Sequence, residues 1–95
     1  MLASLDNLSL RIAERLRERR LALGWSRRTL GERSGVALET LRKFERTGQV
    51  SLPRLVRLAV ALGVDDELER LFTVPLAPRS LDDLPALAAK RQRWR

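Results

Sequence analysis

Apolar positions along the chain recur at helical spacing. Leu5, Leu8, Ile12 and Leu16 follow one another at three- and four-residue steps, which predicts one apolar stripe on a helix from about Ser9 to Leu23. Arg11, Arg15, Arg17 and Arg19 lie mostly off that stripe. Gly24 then occupies the usual left-handed capping position. Ser26 is placed to cap a second helix that runs to about Ser34, where Gly35 breaks the pattern. A third helix is predicted from about Leu38 to Arg46, stopped by Thr47-Gly48. Ser51 caps a fourth, Leu52 to Leu62, with Pro53 tolerated in its first turn. Gly63 closes it, and Asp65-Asp66 open a short fifth helix ending near Phe72. No stretch alternates well enough for a strand. The expected fold class is therefore all-α, with five helices in a domain over residues 1–72 and a Pro-containing linker and basic tail over 73–95.

Composition narrows the function classes. The chain has 95 residues, enough for one compact domain, with no cysteine and no histidine. Disulfides, thiol catalysis, ordinary zinc sites and histidine acid–base chemistry are thereby excluded. Asp65, Asp66, Glu67 and Glu69 cluster, but they open a helix, where acids favour the dipole. With no nucleophile–base pair, phosphate-cradling Gly loop or metal set in view, no catalytic residue, metal or cofactor is expected, and no enzyme. The apolar runs are far shorter than the ~20 residues of a membrane span. The first residues, Met1-Leu2-Ala3-Ser4-Leu5-Asp6, lack the basic start and apolar stretch of a signal peptide, so a cytoplasmic protein without a membrane partner is expected.

Charge then points to the partner. The formal net charge is +7 and the pI about 11.5, which favours a polyanion. Residues 1–50 carry eleven basic and six acidic side chains, and residues 79–95 five and two, with a near-neutral block between them. Seventeen of the nineteen cations are Arg, the side chain suited to phosphate and guanine.

The informative stretch runs from Trp25 to Gly48. Two short helices meet across Ser34-Gly35-Val36, a turn that sets helix pairs at a steep angle, and the small Gly31 lets them pack closely. Leu30, Val36, Leu41 and Phe44 fall where such a corner needs apolar anchors. Leu38, Glu39, Arg42, Lys43 and Arg46 are left facing away from the core. A helix with cations on its outer face can lie in a major groove, where Arg42 or Lys43 donates to guanine O6 and N7. Arg27 and Arg28 at a helix N-terminus oppose the dipole, a placement that makes sense if a phosphate docks there.

With Gly24-x-Ser26, Leu30, Ser34-Gly35-Val36, Thr40-Leu41 and Phe44-Glu45 at these spacings, residues 10–65 resemble the Xre family of lambda-repressor-like helix-turn-helix regulators. The resemblance implies a sequence-specific transcriptional repressor that binds double-stranded DNA, usually as a homodimer on a near-palindromic operator. It makes Ala37, Leu38, Glu39, Arg42 and Lys43 base-facing, and Arg27, Thr40 and Arg46 backbone contacts, alongside Arg28. Arg20 and Glu45 occupy the positions of a family ion pair, a structural role. Departures from the family pattern include Ala37, which forfeits a side-chain N-cap worth about 1 kcal/mol, and Gly31 where Ala is usual.

A second, shorter resemblance lies at the C-terminal end. Leu71-Phe72, Pro75, Pro78 and Arg79-Ser80-Leu81-Asp82-Asp83-Leu84 before a basic end are similar to HipB-type antitoxins. That likeness implies a repressor of its own operon that also binds a HipA-like kinase toxin. The alternatives are a stand-alone Xre-type regulator, or a protein-interaction module that has lost DNA reading. Leu68, Leu71 and Phe72 are apolar beyond the needs of a four-helix core and are expected at a dimer or partner interface. Trp94, between Arg93 and Arg95, is a partner anchor, a DNA contact or a residue with no such role.

Overall fold

A computed structural model describes residues 2–74, with side chains from Asn7 onward; Trp94 and the rest of the C-terminal extension lie outside the described residues. Among the described residues there are five helices and no strand: α1 (Leu2–Ala22), α2 (Arg27–Ser34), α3 (Leu38–Thr47), α4 (Leu52–Leu62) and α5 (Asp65–Glu69). None is long and apolar enough to cross a membrane.

The caps explain the boundaries. Ser26 and Ser51 each accept a hydrogen bond from the backbone N–H three residues on, at Thr29 (3.0 Å) and Arg54 (3.3 Å). Ala37 stands at the N-cap of α3 with no side-chain bond. Two boundaries depart from expectation. The helix expected from Ser9 begins at Leu2, because Leu2 and Leu5 extend the apolar spacing upstream with no Gly or Pro to interrupt it. The helix expected to end near Phe72 stops at Glu69; the chain continues in turns, and Phe72 takes φ 62°, outside the right-handed helical region.

The core is small and centres on the corner between α2 and α3. Ala13, Leu30, Val36, Leu41, Phe44, Leu58 and Leu62 form one buried cluster, with Leu16, Trp25, Val50, Leu55, Ala61 and Val64 packed around it. Of the stripe on α1, Leu16 packs against the core, while other members stay near its margin. Ala13 is fully buried, whereas Leu8 and Ile12 remain 45% and 37% exposed. A helix that approaches its neighbours closely presents its smallest side chain at the contact, leaving the larger ones at the margin. Leu16 and Ile12 also line a groove with Leu55, Leu68 and Leu71.

The close approach of α1 to the end of α3 depends on a glycine. Gly48 has φ 80°, and a Cβ there would lie 2.7 Å from the carbonyl carbon of Ser9 and 2.9 Å from the Leu10 nitrogen. Gly48→Ala is expected to destabilise the domain by roughly 2–5 kcal/mol, through left-handed strain plus overpacking against rigid backbone. Gly24→Ala, at φ 74° with nothing within 4 Å, carries the strain alone, about 1–2 kcal/mol. Urea unfolding of the two variants checks the difference; equal losses would remove the backbone contact as a constraint.

Candidate nucleic-acid interface

The third helix divides sharply. Leu41 and Phe44 are 1% and 2% exposed, and they anchor α3 against Leu30 and Val36 from the preceding helix and turn. At 100° per residue, Glu39, Arg42, Lys43 and Arg46 fall within an arc of about 100° on the opposite side. All four are exposed, while Leu38 and Thr40, on the flanks of the arc, are half-buried. From Glu39 to Arg46 the arc extends about 10 Å along the axis, close to three base-pair steps of a duplex.

The end of α2 lies alongside this face. Arg28 and Glu32 of α2 line a shallow cleft with Gly31, Val36, and Ala37 and Leu38 at the start of α3. Gly31 keeps the corner tight, since a Cβ there would stand 3.1 Å from the Val36 carbonyl oxygen. Arg27, Arg28, Lys43 and Arg46 are exposed, and no acidic side chain occupies the first turn of α2. Lys43 and Arg46 make no ion pair among the described residues. Arg42 donates through Nη1 to Glu39 Oε1 at 2.8 Å.

Behind this face sits a buried carboxylate. Glu45 accepts from Arg20 Nε at 2.9 Å and Nη2 at 3.2 Å, and from Arg27 Nε at 2.8 Å. The Arg20 and Glu45 side chains are 6% and 4% exposed, that of Arg27 45%. Arg20 Nη1 also donates to the Trp25 carbonyl at 2.8 Å, so the guanidinium is satisfied on both sides. Burial pushes the Glu45 pKa up, but the hydrogen bonds and charges of Arg20 and Arg27 outweigh it and hold the carboxyl below its ordinary value of 4.5.

Arg27 therefore has a partner that its expected backbone role did not include. Its Nε is engaged by Glu45, while its Nη groups make no hydrogen bond to the described residues and the side chain is half-exposed. Two further contacts escape a reading by sequence spacing. The Arg33 guanidinium lies 4.5 Å from the centroid of the Trp25 ring, and Arg19 meets Glu67 at 3.4 Å. On another part of the surface, Leu68 is half-buried in the groove between α1, α4 and α5, while Leu71 and Phe72 are 50% and 91% exposed.

A short helix braced across a second, with the brace behind and cations in front, defines a helix-turn-helix protein. The helix-turn-helix family model matches residues 16–68, from late α1 to α5 and more than half of the chain. The chain belongs to the helix-turn-helix family, in its Xre-like form, and is a DNA-binding protein of the regulatory kind. No curated protein and no solved structure matches it.

The buried carboxylate gives a pH prediction with a definite sign. The folded pKa of Glu45 lies below its unfolded value, so the unfolded chain takes up the proton first as pH falls. The stabilisation is present above about pH 4.5 and is lost as pH drops through the folded pKa. Glu45→Gln leaves Arg20 buried opposite a neutral amide and is expected to cost about 3 kcal/mol at neutral pH. Urea unfolding followed from neutral pH to about pH 3 checks both points, the wild type losing stability more steeply than the variant below the ordinary carboxylate pKa.

Proposed function

We propose that this protein is a transcriptional repressor that reads an operator through α3 while α2 and the end of α3 grip the phosphates. The observation that carries this is the outward arc of α3, which holds Arg42, Lys43 and Arg46 on the side opposite Leu41 and Phe44. In this reading Ala37, Leu38, Glu39, Arg42 and Lys43 face base edges. Arg27, Arg28, Thr40 and Arg46 contact the backbone, and Arg20 and Glu45 hold the reading helix in place. The domain over residues 1–72 does this work, and the extension over 73–95 serves a partner.

The protein acts as a homodimer on a near-palindromic site. Support comes from the apolar surface of Leu71 and Phe72, half and fully exposed, continuous with the groove that Leu68 lines. The finer assignment, an autoregulating HipB-like antitoxin for a HipA-like kinase toxin, rests on Arg79-Ser80-Leu81-Asp82-Asp83-Leu84 and the basic end, which lie outside the described residues.

Titration against the duplex upstream of its own gene, beside a shuffled duplex of the same composition, tests the operator reading. The native duplex is expected to bind selectively at physiological salt. Arg42→Ala with Lys43→Ala should lose about 1–3 kcal/mol for each base contact removed. The slope of log Kobs against log salt should flatten by about 0.9 for each phosphate contact removed, as with Arg46→Ala. Equal, weak binding to both duplexes, indifferent to these changes, would leave a protein-interaction module as the better account.

For the dimer, Leu71→Asp with Phe72→Asp is expected to leave the fold intact, since both side chains are exposed. Sedimentation should then show a shift to monomer, with weaker operator binding. An unchanged association state would place the interface elsewhere.

A further inference from the structure

We propose that Glu39 and Arg42 act as one base-reading unit that selects a G·C pair within the operator half-site. This rests on the operator-reading function proposed above. The two side chains are joined by the 2.8 Å bond from Arg42 Nη1 to Glu39 Oε1, yet both heads stay in water, at 55% and 83% exposure. Glu39 Oε2 and the Nε and Nη2 of Arg42 make no hydrogen bond to the described residues. The pair thus presents a donor fork and a carboxylate acceptor side by side, on the outward arc of α3.

The major-groove edge of a G·C pair has a matching order. Guanine offers two adjacent acceptors, N7 and O6, and cytosine offers the N4 amino donor beside them. Arg42 takes the two acceptors and Glu39 takes the amino hydrogen. At an A·T pair the adenine amino group separates the acceptors N7 and O4, so the fork reaches only one of them.

A carboxylate on this surface also carries a cost. Five cations, Arg27, Arg28, Arg42, Lys43 and Arg46, favour the duplex, and Glu39 alone on the outward arc of α3 opposes it. Its repulsion from phosphates applies at every sequence, while its bond to cytosine forms at one. Glu39 therefore lowers non-specific affinity and raises selectivity. A purely structural role exists for comparison: Glu39 lies in the first turn of α3, where acids favour the dipole and Ala37 provides no side-chain cap. That role would move thermal stability and leave base preference untouched.

The test uses the full chain, Glu39→Gln and Arg42→Ala. Each is incubated at one salt concentration with duplexes randomised over their central positions, and the bound fraction is sequenced. Melting temperatures and affinities for a shuffled duplex are measured alongside. Wild type is expected to enrich G·C at a fixed position. Glu39→Gln should weaken that preference about tenfold at the same position while binding the shuffled duplex more tightly. Arg42→Ala should lose guanine there too. If the two variants relax different positions, or Glu39→Gln shifts only the melting temperature, the coupled unit is overturned while operator reading stands. If wild type enriches no sequence, operator reading fails and this inference with it.

Discussion

The arrangement of the helices depends on one buried carboxylate. Glu45, on the third helix, is reached by Arg20 from the first and Arg27 from the second, and the same Arg20 closes on the Trp25 carbonyl between them. Isolated, either charge would be strongly disfavoured at this depth. Together they leave no buried side-chain polar atom without a partner among the described residues. A buried ion pair adds little net stability compared with a well-packed apolar substitute, so its effect is on geometry. Any packing that parts the first helix from the third leaves a charge unmatched inside the domain. That penalty, more than the modest core, ties the outward face of α3 to the rest of the chain.

The apolar core does a complementary job. Leu30, Val36, Leu41 and Phe44 fix the depth at which the third helix sits, and the carboxylate fixes its rotation. Gly48 sets how near the first helix comes, because backbone meets backbone there and no side chain intervenes. With depth, rotation and distance set from behind, the outer arc is free to carry charge that would be costly in the interior. The division of labour within ten residues of α3 follows from helical period alone.

How much of this was legible in the sequence depended on range. Helices two, three and four could be bounded from Ser26, Gly35, Gly48, Ser51 and Gly63, because caps and stops act within a turn of the residues they serve. The outward placement of Arg42 and Lys43 followed from period 3.6 and the anchors Leu41 and Phe44. The stripe on the first helix was misleading in part. Periodicity reports that a face is apolar but not what covers it, and Leu8 and Ile12 remain partly exposed while Ala13 is buried. The pairing of Arg20 with Glu45 spans 25 positions and was suggested only by family likeness, since no local rule connects such residues. Arg27 joining that pair, and Arg33 lying over Trp25, are products of the fold with no local signal. The end of the fifth helix was missed because it falls at Glu69-Arg70, where no Gly or Pro marks a stop.

Arg27 has a consequence that concerns entropy. A long basic side chain that grips a phosphate normally surrenders its rotamer freedom at that moment, which costs about 0.5–1.5 kcal/mol. Arg27 is already held by Glu45 through Nε on a half-exposed side chain, so much of that ordering is complete when the chain folds. Lys43 and Arg46 have no such restraint among the described residues and must become ordered on contact. In the proposed interface, Arg27 and Arg42 are thus held by carboxylates of the fold, while Lys43 and Arg46 adapt to the duplex. In that proposed interface, a cation held in place beforehand is suited to setting the register for those that order on contact.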